Sequence, residues 1–357
     1  MSKSRRVPAF AMAALLAGSL LLAGCANTSA PTSGTTSTPA VIRLGNLPTE
    51  DILPLWAAQQ KGLFEQAGIN VEIVPFQSAQ ERDAAYTAGA IDGFMGDMIA
   101  VGTLNNGGFP TKVVTICLGA TPAEGRFGVV AAPGSRILPS AYRLGVSTRV
   151  GEGEIESMKL LANVPVGTSL NTIQEYVLDG LFQEAGVPVS AVKTVTVPKV
   201  PVRFELLMAN KLQAAALPEP FLSLAIKQGA PLVAADTTGT NLSQTVLAFS
   251  TKYLDSPAGG AAVGELLGVW DQGAALVNAN RDSFRQLLVD KARLPQLIAT
   301  SYEVNKYPKA QLPAQADVNP VLAWMQGKNL LTKPLTHADI MWRAGGAAPS
   351  SSTSTTP

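Results

Sequence analysis

Histidine is almost missing from this chain: His337 is the only one among 357 residues, and there are just two cysteines, Cys25 and Cys117. Zinc sites and Ser-His or Cys-His catalysis draw on clusters of these side chains. A lone histidine in Leu335-Thr336-His337-Ala338-Asp339, a stretch that reads as a helix start, is better placed as a surface or capping residue. Aromatic residues are sparse at 6%, charged residues make up 15%, and the formal charge is only +1. No block of like charge exists, which argues against nucleic acid and anionic lipid as partners. No phosphate-cradling GxxxxGK[ST], zinc-type cysteine spacing or heptad array is present either. The longest apolar run at the N-terminus, Ala9 to Leu22, is too short to span a bilayer as a helix.

What that run does resemble is a secretory signal. Lys3, Arg5 and Arg6 precede it and small residues follow it. Its end, Leu22-Ala23-Gly24-Cys25, looks like the lipobox of bacterial lipoproteins, in which the cysteine thiol is acylated (a palmitate-type chain) and becomes the first mature residue. The alternative is an ordinary signal peptide with a chance cysteine. Residues 1–24 are therefore expected to be a signal peptide and 25–40, rich in Ser, Thr, Gly and Pro, a lipidated flexible tether. Residues 345–357 share that composition and are expected to be disordered. Removing the three leader cations from +1 leaves a mature charge of −2. With Cys25 acylated, Cys117 in Val113-Val114-Thr115-Ile116-Cys117-Leu118 has no disulfide partner and reads as a buried thiol.

Between the two ends, β-type and helical patterns alternate. Strand-like runs occur at Val41–Gly45, Val71–Phe76, Ile91–Met95 and Val113–Leu118, separated by helical spacing at Leu53–Lys61, Ala79–Ala88 and Ile99–Leu104. Gly62 and Gly89 stop the first two helices. This order predicts an α/β fold with mostly parallel sheets. It then recurs: strands at Phe127–Ala131, Leu144–Ser147, Lys193–Val197 and Leu212–Leu217, and helices at Asn171–Ala185, Arg203–Asn210 and Phe221–Gln228. Ala88-Gly89-Ala90-Ile91-Asp92-Gly93-Phe94 and Ala209-Asn210-Lys211-Leu212-Gln213-Ala214-Ala215 each read as helix end, turn and buried strand, so the halves look like two copies of one plan. Beyond Gly239 the pattern is mainly helical: Ala261–Asn278, Arg281–Lys291, Val318–Gln326 and Ala338–Trp342.

Several segments carry a resemblance: Pro54-Leu55-Trp56-Ala57-Ala58-Gln59-Gln60-Lys61-Gly62-Leu63-Phe64, Ala67–Glu72, Ala88–Gly93, Asn171–Tyr176 and Leu217-Pro218-Glu219-Pro220. Together they resemble the extracytoplasmic solute-binding proteins of ABC importers, in the nitrate/sulfonate/taurine and thiamine-precursor (pyrimidine) branch. The resemblance implies a two-lobed periplasmic-binding-protein fold of type II, with two interlobe crossings and a solute held between the lobes. It implies an ABC permease and its ATPase as partners, a monomer, and no cofactor. On this plan residues 41–125 and 237–344 form lobe 1, with the C-terminal helices covering it, and 126–236 form lobe 2. Two departures bear on the ligand. The segment Leu138–Ala162 is longer than expected, and Asp97 stands where many relatives carry a small or hydroxyl residue.

In open α/β sheets ligands sit outside the carboxyl ends of strands, at helix N-termini whose N–H groups carry partial positive charge. Four loops qualify. In Asn46–Leu53, Asp51 either caps the next helix or meets a donor on the solute, with Asn46 and Leu53 flanking it. In Gly96-Asp97-Met98, Asp97 is a helix cap or a ligand acceptor, and Met98 packs on the solute or in the core. In Gly167–Thr172, Ser169, Asn171 and Thr172 offer hydroxyls, an amide and a helix N-cap. In Leu217–Pro220, Pro218 stiffens the backbone and Glu219 accepts from an amine or serves as a hinge or surface charge. Arg126 either clamps an anion or pairs with Glu124, and Arg203 is a lesser cleft candidate. Acids outnumber cations in these loops, which leans toward a neutral or cationic nitrogen-bearing solute, with a sulfonate-like one as the alternative. An exported enzyme on the same fold and a surface sensor compete with solute capture, because fold alone does not decide function.

Overall fold

The structure is a computed structural model and describes residues 41–121, 124, 127–137, 152–236 and 242–343. The leader, Cys25, the tether, the C-terminal tail, Arg126, most of the segment 138–162 up to residue 151 and the strand expected at Leu144–Ser147 lie outside the described residues.

The elements in chain order are β1 (Val41–Asn46), α1 (Leu53–Gln60), α2 (Leu63–Gln66), β2 (Asn70–Pro75), α3 (Ala79–Thr87), β3 (Gly93–Asp97), α4 (Met98–Asn106), β4 (Thr111–Leu118) and β5 (Phe127–Ala131). They continue with α5 (Glu152–Leu160), β6 (Pro165–Thr168), α6 (Ile173–Glu184), β7 (Lys193–Thr196), α7 (Val200–Met208), β8 (Ala214–Pro218), α8 (Phe221–Lys227), β9 (Leu232–Ala235) and β10 (Thr245–Ser250). The remainder is helical: α9 (Thr251–Leu254), α10 (Pro257–Ala279), α11 (Arg285–Lys291), α12 (Gln296–Ala299), α13 (Gln315–Gly327) and α14 (His337–Ile340).

Two five-stranded sheets result, ordered β2-β1-β3-β10-β4 and β7-β6-β8-β5-β9. The first three strands of each are parallel, as the alternating pattern predicts. The fourth is antiparallel to both of its neighbours. In each sheet that fourth strand is the one arriving from the other lobe: β5 follows β4 and β10 follows β9. The expectation of mainly helical structure after Gly239, which included no strand, is thereby corrected, because β10 lies near the centre of the first sheet. Its apolar core Val246-Leu247-Ala248-Phe249 is too short for periodicity to separate strand from helix. Its pairing partners on β3 and β4 are distant in sequence, so only the tertiary fold supplies them.

The two crossings run side by side. Phe127 and Asp236 are joined twice: Phe127 N–H donates to the Asp236 carboxylate Oδ1 at 3.0 Å, and Asp236 N–H donates to Phe127 O at 3.1 Å. At the other end Gln244 Nε2 donates to Gly119 O at 3.2 Å. Gly119 has φ +76°, and a Cβ there would lie 2.9 Å from the Gln244 Cα, so glycine lets the strands approach.

The internal duplication extends to side chains. Arg82 sits in the first turn of α3 and donates from Nη1 to Met95 O, thirteen residues on in β3, at 2.9 Å. Arg203 sits at the same place in α7 and donates from Nε to Ala216 O, again thirteen residues on, in β8, at 2.8 Å. Each stem lies over a strand glycine. A Cβ on Gly45 would be 3.2 Å from Arg82 Cγ, and one on Gly167 would be 3.4 Å from Arg203 Cγ. The turn residues Gly89 and Asn210, paired in the sequence comparison, both have positive φ.

The first sheet buries one face against α1 and α10, where Trp270 is fully enclosed and its indole N–H donates to Pro308 O at 3.0 Å. Cys117 is buried in that cluster. The opposite face packs on α4 and α13, and this apolar cluster continues into α6 of the second lobe. No helix among the described residues is long and apolar enough to cross a membrane.

Candidate functional site

Both sheets send their carboxyl-end loops to one crevice. From the first lobe it is lined by Leu47, Thr49, Glu50 and Asp51 after β1, by Gly96 and Asp97 ending β3, and by Arg82 of α3. From the second come Ile173 and Gln174 opening α6, Val200 opening α7, and Pro218 and Glu219 ending β8. The crossings add Leu118, Phe127 and Thr245. The crevice is narrow, with about 50 Å³ accessible to water. A more open depression of about 670 Å³ beside the edge strand β2 includes no residue of the second lobe.

Asp97 is deeply enclosed here, at 5% exposure. It is the N-cap of α4, and its carboxylate accepts the Ala100 N–H at 2.9 Å. Burial pushes the Asp97 carboxyl up. Arg82, the Ala100 N–H and the Ile173 N–H of the opposite lobe pull it back without cancelling the rise. A Cβ on Gly96 would lie 2.8 Å from Arg82 Nη1, so the small residue lets the guanidinium reach the strand end. Arg82 is itself buried, with Asp83 Oδ1 at 2.9 and 2.7 Å from its Nε and Nη2, and it stacks 4.6 Å over Phe94.

The counterpart in lobe 2 lacks an acid. Arg203, fully buried, donates to Ala216 O, Val197 O and the side-chain carbonyl of Gln174. Burial lowers its guanidinium to about 9, still protonated at neutral pH. Gln174 itself lines the crevice, and with Oε1 bound by Arg203 its amide nitrogen is the remaining donor.

The other acids are engaged. Asp51 Oδ1 accepts the Thr245 hydroxyl at 2.6 Å. Glu50 accepts the Tyr302 hydroxyl at 2.9 Å. Glu219 accepts Ser223 N–H at 3.1 Å and the Ser223 hydroxyl at 2.8 Å, anchoring α8. The Glu219–Pro220 bond is cis.

Of the residues singled out from sequence, Asp51, Gly96, Asp97, Pro218 and Glu219 meet at the crevice. Leu53 and Met98 are buried in the two apolar clusters of the first lobe. Asn46 donates to Leu47 O and borders the open depression beside β2. Ser169 is buried and accepts from Gln80 Nε2 across the lobes at 3.2 Å. Thr172 is the N-cap of α6, and exposed Asn171, at φ 58°, donates its N–H to Glu175. Arg203 stands behind the lining, and Glu124 accepts the Ala120 N–H at 3.0 Å. Sequence reasoning missed Arg82, Gln174, Thr245 and the apolar lining. Arg82 was discoverable as the duplicate of Arg203. Thr245 belongs to the missed strand β10.

The lobes also touch outside the crevice. Glu81 pairs with Lys199 at 2.8 Å. Lys328, the C-cap of α13, reaches Glu175 at 2.9 Å and Asp179 at 2.8 Å on α6, and Trp324 Nε1 donates to Asp179 at 3.0 Å.

Comparison with known proteins agrees with this architecture. The model of the NMT1-like family matches residues 35–259. Among solved structures, the alkanesulfonate-binding protein SsuA from Xanthomonas axonopodis pv. citri, bound to MOPS, superposes with a TM-score of 0.69 at 19% identity, over 86% of this chain and 100% of that one. The periplasmic aliphatic sulphonate-binding protein SsuA from Escherichia coli gives 0.67 at 17% identity, over 85% and 98%. The periplasmic nitrate-binding protein NrtA from Synechocystis PCC 6803 gives 0.64 at 15% identity, over 82% and 83%. At these identities the likeness is one of fold. Comparison with curated protein sequences gives no match.

Proposed function

The chain belongs to the NMT1-like family, and from that membership and the crevice we propose that it captures a small organic solute between its lobes and hands it to an ABC permease driven by its ATPase. One observation carries the reading: the strand-end loops of two duplicated sheets converge on a single crevice with polar groups from both. Asp51, Gly96, Asp97, Pro218 and Glu219 are the proposed contacts, with Ser169, Thr172 and Asn171 shaping the α6 entrance. The solute is nitrogen-bearing or sulfonate-like. The leader and Cys25 support a lipid anchor on the outer face of a membrane, with the tether giving the lobes reach.

Capture rather than turnover is supported by how the crevice acids are used. Their oxygens accept helix N–H groups and hydroxyls of the protein, which holds them as fixed acceptors around a guest. The test is thermal: a ligand that binds only the folded state raises the midpoint by mass action, by about 2.7 kcal/mol at a hundredfold excess over Kd. A broad metabolite panel is expected to contain a stabiliser that is recovered unchanged. No shift across the panel, or product formation from the stabiliser, overturns the reading.

A further inference from the structure

Asp97 occupies the place where the poles of two helices meet. It caps α4 of the first lobe through the Ala100 N–H. The Ile173 N–H, first in α6 of the second lobe, also stabilises its charge. Both helices are long enough to carry a positive N-terminal pole, nine and twelve residues. Beside Ile173 stands Gln174, 8% exposed and lining the same crevice. Its carbonyl oxygen is held by Arg203, and among the described residues its amide nitrogen makes no hydrogen bond, which leaves a spare donor on a residue that lines the crevice. Behind it lies the Arg203 guanidinium, whose hydrogen bonds all go to neutral oxygens. The mouth of α6 is therefore a positive seat, with helix pole, amide donors and buried cation together, and it faces a carboxylate of the protein itself.

We propose that Asp97 is a resident anion that fills the α6 seat and sets the charge specificity of the crevice against oxyanions. Resting on the solute-capture reading above, this assigns the solute class: neutral or cationic, with N–H donors toward Asp97 and one acceptor toward the Gln174 amide. An incoming sulfonate or nitrate meets Asp97 at close range in a space that Asp51 also lines, and Arg82, the cation lining it, is already paired with Asp83. Like charges so placed in a partly desolvated site cost far more than at the surface. The same fold in a sulfonate-binding neighbour holds MOPS, so the exclusion is attributed to this side chain and not to the architecture.

The experiment replaces Asp97 by Asn and by Ser, both good N-caps, so α4 keeps its start. Circular dichroism checks the fold of the full chain, and calorimetric titration at low salt uses three probes: methanesulfonate, nitrate and acetamidinium. The expected result is that Asp97→Ser and Asp97→Asn bind methanesulfonate or nitrate at least tenfold more tightly than wild type, about 1.4 kcal/mol, and bind acetamidinium at least tenfold more weakly. Adding Gln174→Leu to Asp97→Ser should remove the gained anion affinity. Wild type binding either anion within twofold of the variants overturns the assignment while leaving solute capture intact. Variants that fold and gain no anion affinity also overturn it. Native mass spectrometry of the purified wild type separates the two readings further. A carried anion sinks the charge assignment alone, and a carried neutral or cationic solute supports it.

Discussion

Replacing Lys328 with methionine removes the cation that ties α13, packed on the first lobe, to α6 of the second. Its ammonium lies 2.9 Å from Glu175 and 2.8 Å from Asp179, whose side chains are 9% and 5% exposed. Taking one partner from a buried ion pair costs about 3–5 kcal/mol. Lys328 is itself 29% exposed, and water screens part of the attraction. Asn171 N–H still holds Glu175, and Trp324 still holds Asp179. The expected cost is therefore about 2 kcal/mol, of which a few tenths is repulsion between Glu175 and Asp179 one helical turn apart. At roughly 2–4 °C per kcal/mol, the midpoint falls by about 4–8 °C. Scanning calorimetry of the ligand-free protein measures it. Adding Asp179→Asn should restore part of the loss, a coupling of at least ~0.5 kcal/mol. The sign with pH is also set. Burial pulls the Lys328 ammonium down, but the hydrogen bonds to Asp179 and Glu175 outweigh it and raise its pKa above the ordinary 10.5. The contribution is thus complete below that value and lost as pH rises through the folded one. A Lys328→Met midpoint within about 1 °C of wild type at pH 7, or strict additivity with Asp179→Asn, refutes the reasoning.

Three further outcomes follow from particular contacts. A Cβ on Gly273 would lie 2.1 Å from Pro54 O, so Gly273→Ala must part α10 from α1 and should cost about 1–3 kcal/mol; an unchanged urea midpoint would show that the helices do not approach this closely. Burial pushes the Cys117 thiol well up, and only thiolate reacts, so a Cys25→Ser variant should resist an aromatic disulfide reagent when native and react fully when denatured. Thr336 and Asp339 form a capping box at the start of α14, with the Thr336 hydroxyl and N–H holding the Asp339 carboxyl below its ordinary 3.8. Asp339→Ala should cost about 0.5–1 kcal/mol at pH 7. That difference should vanish as pH falls through the depressed value, and a gap persisting at pH 2 contradicts the assignment.

Much of the architecture was readable along the chain because its signals are local. Glycine stops, alternation in Val71–Pro75, amphipathic spacing in Ile173–Glu184 and the repeated helix–turn–strand units each depend on neighbours within one element. Asp97 and Glu219 were legible as acids at strand ends for the same reason. What the tertiary structure alone decided is how distant segments meet. It set β10 antiparallel between β3 and β4, turned Arg203 and Gln174 into one hydrogen-bonded unit, and brought Asp97 of one lobe against the Ile173 N–H of the other. Periodicity carries no information about partners far apart in sequence, and a carboxylate's role depends on which donors close around it. The chain therefore announced two lobes and the loops that could bind, while packing chose which of their side chains share the crevice and with what charge.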